Sequence, residues 1–125
     1  MAKKVLIADD EPNIVTALEF LLERNGYEVY IARDGEAALQ LVEEHKPDLV
    51  LLDIMMPLKS GYEVCSRMRE RLEWRNIKIV ILTAKGRDVE VSKGLSIGAD
   101  LYITKPFSNQ ELMAKINGLL GVGAA

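Results

Sequence analysis

Short apolar runs alternate with amphipathic helical patterns five times along these 125 residues, and this alternation limits the fold more than any other feature. Lys4-Val5-Leu6-Ile7-Ala8 reads as a buried strand. Ile14, Ala17, Leu18, Leu21 and Leu22 then recur at i, i+3, i+4, i+7 and i+8, one face of a helix. Asn25-Gly26 closes it, because glycine accepts the left-handed backbone of a helix stop. Tyr27 to Ala32 is a second strand, and Asp34 is placed to cap a helix through Ala38, Leu41 and Val42. Asp48 to Leu52 is the third strand, nearly all apolar, as expected of a strand covered on both faces. Ser60 and Glu63 form a capping-box pair for a helix reaching about Trp74. Ile77 to Leu82 is the fourth strand, followed by a helix from about Arg87 to Ile97 that ends at Gly98. Leu101 to Ile103 is a short fifth strand. Ser108 and Glu111 open a last helix with Leu112, Met113, Ile116, Leu119 and Leu120 inward.

The sum is an α/β chain, (βα)5, with a five-stranded parallel sheet and helices on both faces. Five such units suit the doubly wound strand order 2-1-3-4-5. One domain over residues 1–121 is expected, with 122–125 as a flexible tail. There is no internal repeat, low-complexity tract or linker. No apolar run approaches the roughly 20 residues that span a bilayer. The apolar stretch after Lys3-Lys4 is short and meets acids at once, so it makes a poor signal peptide. A cytoplasmic protein that does not contact the membrane is the expectation. Net charge is −3, which argues against a direct nucleic-acid partner. Cys65, the single cysteine, excludes an internal disulfide and falls in step with Met68 and Leu72 as a core residue.

In open parallel sheets ligands bind beyond the carboxyl ends of the strands. Asp9, Asp10 and Glu11 follow the first strand, Asp53 the third, Thr83 the fourth, and Lys105-Pro106 the fifth. The order 2-1-3-4-5 makes strands one and three neighbours, which brings Asp9, Asp10 and Asp53 together. Three carboxylates in one crevice repel, so one takes a proton or a cation binds. Oxygen ligands in a small open site suit Mg²⁺. Lys105 adds a second positive charge. Cations and a hydroxyl around one carboxylate match the needs of phosphoryl transfer. Taken singly, Asp9 or Asp10 reads equally as a helix entry, Asp53 as a loop acid, Thr83 as a cap and Lys105 as a surface lysine. Their coincidence at four strand ends is what carries the functional reading.

The ordered set resembles the receiver domain of two-component response regulators. The matching pieces are Val5-Leu6-Ile7-Ala8-Asp9-Asp10-Glu11 and Asp48-Leu49-Val50-Leu51-Leu52-Asp53-Ile54-Met55-Met56-Pro57. Gly61, Leu82-Thr83-Ala84 and Gly98-Ala99-Asp100-Leu101-Tyr102-Ile103-Thr104-Lys105-Pro106-Phe107 complete it. The resemblance covers essentially the whole chain and implies the flavodoxin-like fold of the chemotaxis response regulators.

It also implies roles. Asp53 would be the phosphoacceptor. Asp9, Asp10 (more directly), Asp53 and the backbone carbonyl of Met55 would hold Mg²⁺. Lys105 would pair with the phosphoryl group and Thr83 would hydrogen-bond to it. Tyr102 would then turn inward, altering the surface made by the fourth helix, fifth strand and fifth helix. The peptide before Pro106 would be cis. Met55 and Lys85 would flank the phosphoryl group, and Met55 cannot orient a water by hydrogen bonding, which implies a long-lived phosphoryl group. A sensor histidine kinase or phosphotransfer protein is the implied donor, and an effector domain or protein the implied receiver of the signal. The protein would be a phosphoacceptor switch rather than an enzyme. It would be a monomer or a phosphorylation-dependent homodimer. Lys93, Asp100 and Lys115 are candidates for the charged dimer pairs of the winged-helix regulators, although Leu101 departs from that subgroup. His45, near the end of the second helix, reads as a surface residue.

Three rival functions are open to such a chain. A flavin carrier needs a Ser/Thr/Gly-rich phosphate loop where Asp9-Asp10-Glu11 stands. An aspartyl phosphatase carries its nucleophile after the first strand in a D-x-D arrangement, and the acids here are adjacent. A phosphorylation-independent binding module of the receiver type needs no complete acid–threonine–lysine set, and this chain has one.

Overall fold

Five strands form, and all of them pair in parallel in the order 2-1-3-4-5. They are β1 (Lys4–Ala8), β2 (Glu28–Ala32), β3 (Leu49–Asp53), β4 (Lys78–Ala84) and β5 (Leu101–Lys105). Helices α1 (Pro12–Arg24), α2 (Gly35–His45) and α3 (Gly61–Glu70) and a C-terminal helix (Asn109–Leu120) cover the sheet. The computed structural model describes residues 2–84 and 98–121. The expected fourth helix, with Lys85 and Lys93, and the tail lie outside the described residues.

The period-2 pleat divides the apolar strand residues between two cores. Leu6, Val50, Leu52, Ile79 and Ile81 face α2 and α3 together with Val64, Cys65, Met68 and Trp74. Val5, Ile7, Leu49, Leu51, Val80, Leu82 and Ile103 face α1 and the C-terminal helix. The central strands β1 and β3 are therefore buried on both sides and read as apolar runs, whereas the edge strands β2 and β5 are only partly covered. Cys65 is fully buried, and burial pushes its thiol up to about 11, so it is the core residue its spacing implied. Among the described residues no helix is long and apolar enough to cross a membrane.

The capping side chains act as the sequence suggests, but neither capping box closes with a returning glutamate. Asp34 accepts from the Ala37 N–H at 2.8 Å, and Ser108 Oγ from the Glu111 N–H at 3.0 Å. At α3, Ser60 Oγ accepts from the Glu63 N–H at 3.3 Å. The Glu63 carboxylate meets Lys59 and Arg67 instead of returning to the cap.

The third helix ends at Glu70 and does not reach Trp74. Arg71 is extended (φ −95°, ψ 119°), and Leu72–Trp74 form a single 3₁₀ turn. A continuous α-helix would set Trp74 about 120° away from the line of Met68, off the core face. The break at Arg71 turns the indole inward, where it is buried beneath the Arg71 guanidinium. Leu72, on the same apolar pattern in sequence, is left exposed.

One arginine ties this corner together. Arg69 Nε donates to the Gly98 carbonyl at 2.8 Å, and its Nη2 to Asp100 Oδ2 at 2.8 Å. The same Asp100 oxygen accepts from the Ile79 N–H at 2.8 Å. Through this oxygen Asp100, just before β5, links β4 to α3.

Candidate functional site

The pleat that sorts the core also aims the acids. Val5 and Ile7 face α1, and Asp9 continues their parity; Leu49 and Leu51 are followed in the same way by Asp53, and Ile103 by Lys105. The apolar face of the sheet changes at its carboxyl edge into a charged crevice. Backbone pairing persists that far: the Asp9 N–H donates to the Ala32 carbonyl at 3.1 Å. β4 and β5 run longer than their apolar cores suggest, so Thr83 and Lys105 lie in strands, with Ala84 opposite Lys105.

Asp9, Asp53 and Thr83 are the buried polar residues among those described. Asp9 is fully enclosed, and both its oxygens are engaged. Oδ1 accepts from the Glu11 N–H at 2.9 Å, and Oδ2 faces Lys105 Nζ at 3.2 Å. Asp10 is exposed at the rim. Asp53 Oδ1 accepts from the Met55 N–H at 3.3 Å and lies 3.7 Å from Lys105 Nζ. Lys105 Nζ also meets Glu11 Oε1 at 3.3 Å. The Lys105–Pro106 peptide is cis. Asp10, Asp53, Met55, Thr83 and Lys105 line one open crevice of about 340 Å³. Tyr102 lies outside it, on the opposite parity of β5 and partly exposed. His45 is also remote, stacked on Tyr30 with ring centroids 4.1 Å apart.

Electrostatics follow from this crowding. Burial first, then the Asp9 charge, pushes Asp53 up to about 6, with Asp10 adding to the rise. Lys105 and the Met55 N–H oppose the rise without cancelling it. Burial alone would lower the Lys105 ammonium. The charges of Asp53, Asp9 and Glu11 outweigh burial and hold it above its ordinary value. One ammonium therefore faces an excess of carboxylates. Asp9, Asp10 and Asp53 each offer an oxygen, all within 4.8 Å of one another. Hard oxygen donors so grouped fit a small divalent cation such as Mg²⁺.

Two close approaches hold the end of β3 and the loop that follows Asp53, and periodicity gives no sign of either. Gly61 donates to the Ile54 carbonyl at 2.9 Å, and a Cβ there would stand 2.4 Å from the Asp53 carbonyl oxygen. Gly35 donates to the Pro57 carbonyl at 3.3 Å, and a Cβ there would stand 2.2 Å from the Lys59 carbonyl oxygen. Asp34-Gly35 had signalled only a cap. Gly61 stood out only among the residues of the family resemblance.

This sheet, with its crevice where the strand order reverses, defines a doubly wound flavodoxin-like domain with an acidic site whose oxygens are grouped closely enough to hold a metal ion. The model of the response regulator receiver domain matches residues 5–117. The chain belongs to that family. A structure described as a response regulator from Chloroflexus aurantiacus J-10-fl is 35% identical, with 97% of this chain and 99% of that one covered and a TM-score of 0.93. The receiver domain of a signal transduction histidine kinase from Syntrophus aciditrophicus is 32% identical, with 99% and 95% covered and a TM-score of 0.89. The receiver domain of a sensor histidine kinase from Pseudomonas aeruginosa PAO1 is 28% identical, with 97% and 99% covered and a TM-score of 0.89; it was solved with a magnesium ion coordinated in its active-site cleft.

Proposed function

We propose that this receiver domain is switched by transfer of a phosphoryl group to Asp53. The reading is carried by one observation: a buried carboxylate grouped with two other acids lies 3.7 Å from a lysine ammonium at the sheet's switch point. Asp9, Asp10, Asp53 and the Met55 carbonyl would hold Mg²⁺, with exposed Asp10 the most available ligand. Bound Mg²⁺ supplies positive charge against the carboxylates and the phosphoryl oxygens. An Asp53 oxygen attacks phosphorus as the P–N bond of a donor phosphohistidine breaks, and the imidazole leaves with the electron pair. Lys105 and Thr83 bind the phosphoryl oxygens. Tyr102 responds by turning inward from its exposed position, changing the face read by an effector.

A histidine kinase or phosphotransfer protein is the donor in this reading, and the protein acts in the cytoplasm. It is a switch that assists only its own phosphorylation and dephosphorylation. NtrX of Brucella abortus, 25% identical, is matched over only 27% of its chain, which supports coupling of such a domain to further segments. Chelation tests the metal dependence. Incubation with a small phosphodonor should label Asp53 in Mg²⁺ and leave it unlabelled in excess EDTA. Equal labelling in both would remove the metal from the account.

Met55 is 60% exposed at the crevice, and its thioether cannot hold an attacking water as an amide would. Met55→Asn is expected to shorten the phosphoryl lifetime severalfold, read from the decay of phosphorylated protein after the donor is removed. An unchanged decay would show that Met55 does not set the lifetime.

A further inference from the structure

Lys105 is shared unequally, and the sharing involves a residue that the phosphoacceptor site does not require. Its ammonium lies 3.2 Å from Asp9, 3.3 Å from Glu11 and 3.7 Å from Asp53. The first two distances are hydrogen bonds, and the third is only an ion-pair contact. We propose that Glu11 is a positioning residue that restrains Lys105 in the resting state and opposes its engagement with a phosphoryl group on Asp53. This rests on the phosphoacceptor reading above.

The backbone of Glu11 is fixed, while its carboxylate is not needed there. Its N–H donates to Asp9 Oδ1, and its carbonyl accepts from the Val15 N–H at 3.0 Å. It stands at the N-cap of α1, yet its side chain makes no capping bond. The carboxylate reaches across to β5 instead, although the side chain is 59% exposed. An ammonium has three N–H donors. Two of them are bonded to Asp9 and Glu11, which leaves one for phosphoryl oxygens, and a second bond to those oxygens requires Asp9 or Glu11 to let go. Asp9 is enclosed and cannot withdraw, and Asp53 would carry the phosphoryl group. Glu11 is the acceptor that can rotate into water. Until it does, it holds the lysine back and adds negative charge to the crevice that it helps to line.

The opposite role is also physically coherent: Glu11 could assist by adding charge that attracts Mg²⁺. Working at saturating Mg²⁺ separates the two. The probe is beryllofluoride, a phosphoryl mimic, and its dissociation constant is measured for wild type, Glu11→Gln, Lys105→Met and the double variant. Exposed ion pairs of this kind correspond to effects of about two- to fivefold. Glu11→Gln is expected to bind the probe about two- to fivefold more tightly, and the gain should vanish in the Lys105→Met background. A merely structural role for Glu11 would not depend on Lys105. Unchanged or weaker binding by Glu11→Gln overturns the proposal, as does equal tightening without Lys105. If wild type binds no beryllofluoride in Mg²⁺, the phosphoacceptor reading falls and this one with it. If wild type binds and Glu11→Gln matches it, only this proposal falls.

Discussion

Asp53→Asn is expected to make the metal-free protein more stable, raising its melting temperature at neutral pH by several degrees. The reason is the position of Asp53 among carboxylates. Its folded pKa of about 6 stands above the ordinary 3.8. The folded state therefore holds a proton that the unfolded state has lost, and stability falls as pH rises through this window. The rise corresponds to an upper bound of about 3 kcal/mol at 1.36 kcal/mol per unit. Solvent in the open crevice reduces that to about 1–2 kcal/mol. The asparagine keeps an oxygen for the Met55 N–H, and Lys105 keeps Asp9 and Glu11. Thermal unfolding of both proteins in EDTA between about pH 4 and pH 8 checks the sign. The curves should lie close together near pH 4, with the variant above wild type beyond pH 6. Added Mg²⁺ should close the gap by stabilising wild type more. A wild type that outlasts the variant in EDTA at neutral pH would show that Asp53 is held by attraction rather than strained by repulsion.

Gly61→Ala has the other large expected effect, in the opposite direction. Its Cβ would lie 2.4 Å from the Asp53 carbonyl oxygen and 2.9 Å from the Ile54 Cα. Both are backbone atoms, so no side chain can rotate away. The variant should lose roughly 3 kcal/mol, at the upper end of overpacking costs. That corresponds to about 10 °C in melting temperature for a domain of this size. Movement of Asp53 should also weaken Mg²⁺ binding. Gly118→Ala is the matched control. A Cβ there meets nothing within 4 Å, and alanine in the C-terminal helix should add about 0.5–1 kcal/mol. Equal stabilities for the two variants would deny the close approach at Gly61.

The fold was legible in the sequence to the extent that it depends on local pattern. Strand and helix periodicities placed all five strands; the central ones, buried on both faces, leave apolar runs, and the edge strands β2 and β5 are set off by the helical patterns around them. The acids stood out because parallel sheets put their ligand sites at one edge, and Asp9, Asp53, Thr83 and Lys105 all fall there. What stayed hidden depends on contacts between distant segments. The break at Arg71 serves burial of Trp74, which no spacing within the helix announces. Gly35 against Lys59, and Arg69 against Gly98 and Asp100, exist only after the sheet has formed. The charge of Asp100 is visible in sequence, whereas its pairing with Arg69 is not. The hold of Glu11 on Lys105 is of the same kind, spanning 94 positions of chain.

The central claim is that Asp53 takes up the phosphoryl group, and intact-mass analysis tests it most directly. Wild type and Asp53→Ala are incubated with a small phosphodonor and Mg²⁺, then weighed without acid or heat. Wild type should gain the mass of one phosphoryl group, and Asp53→Ala should gain none. Wild type that stays unmodified, or a variant that gains the same mass, would contradict the account.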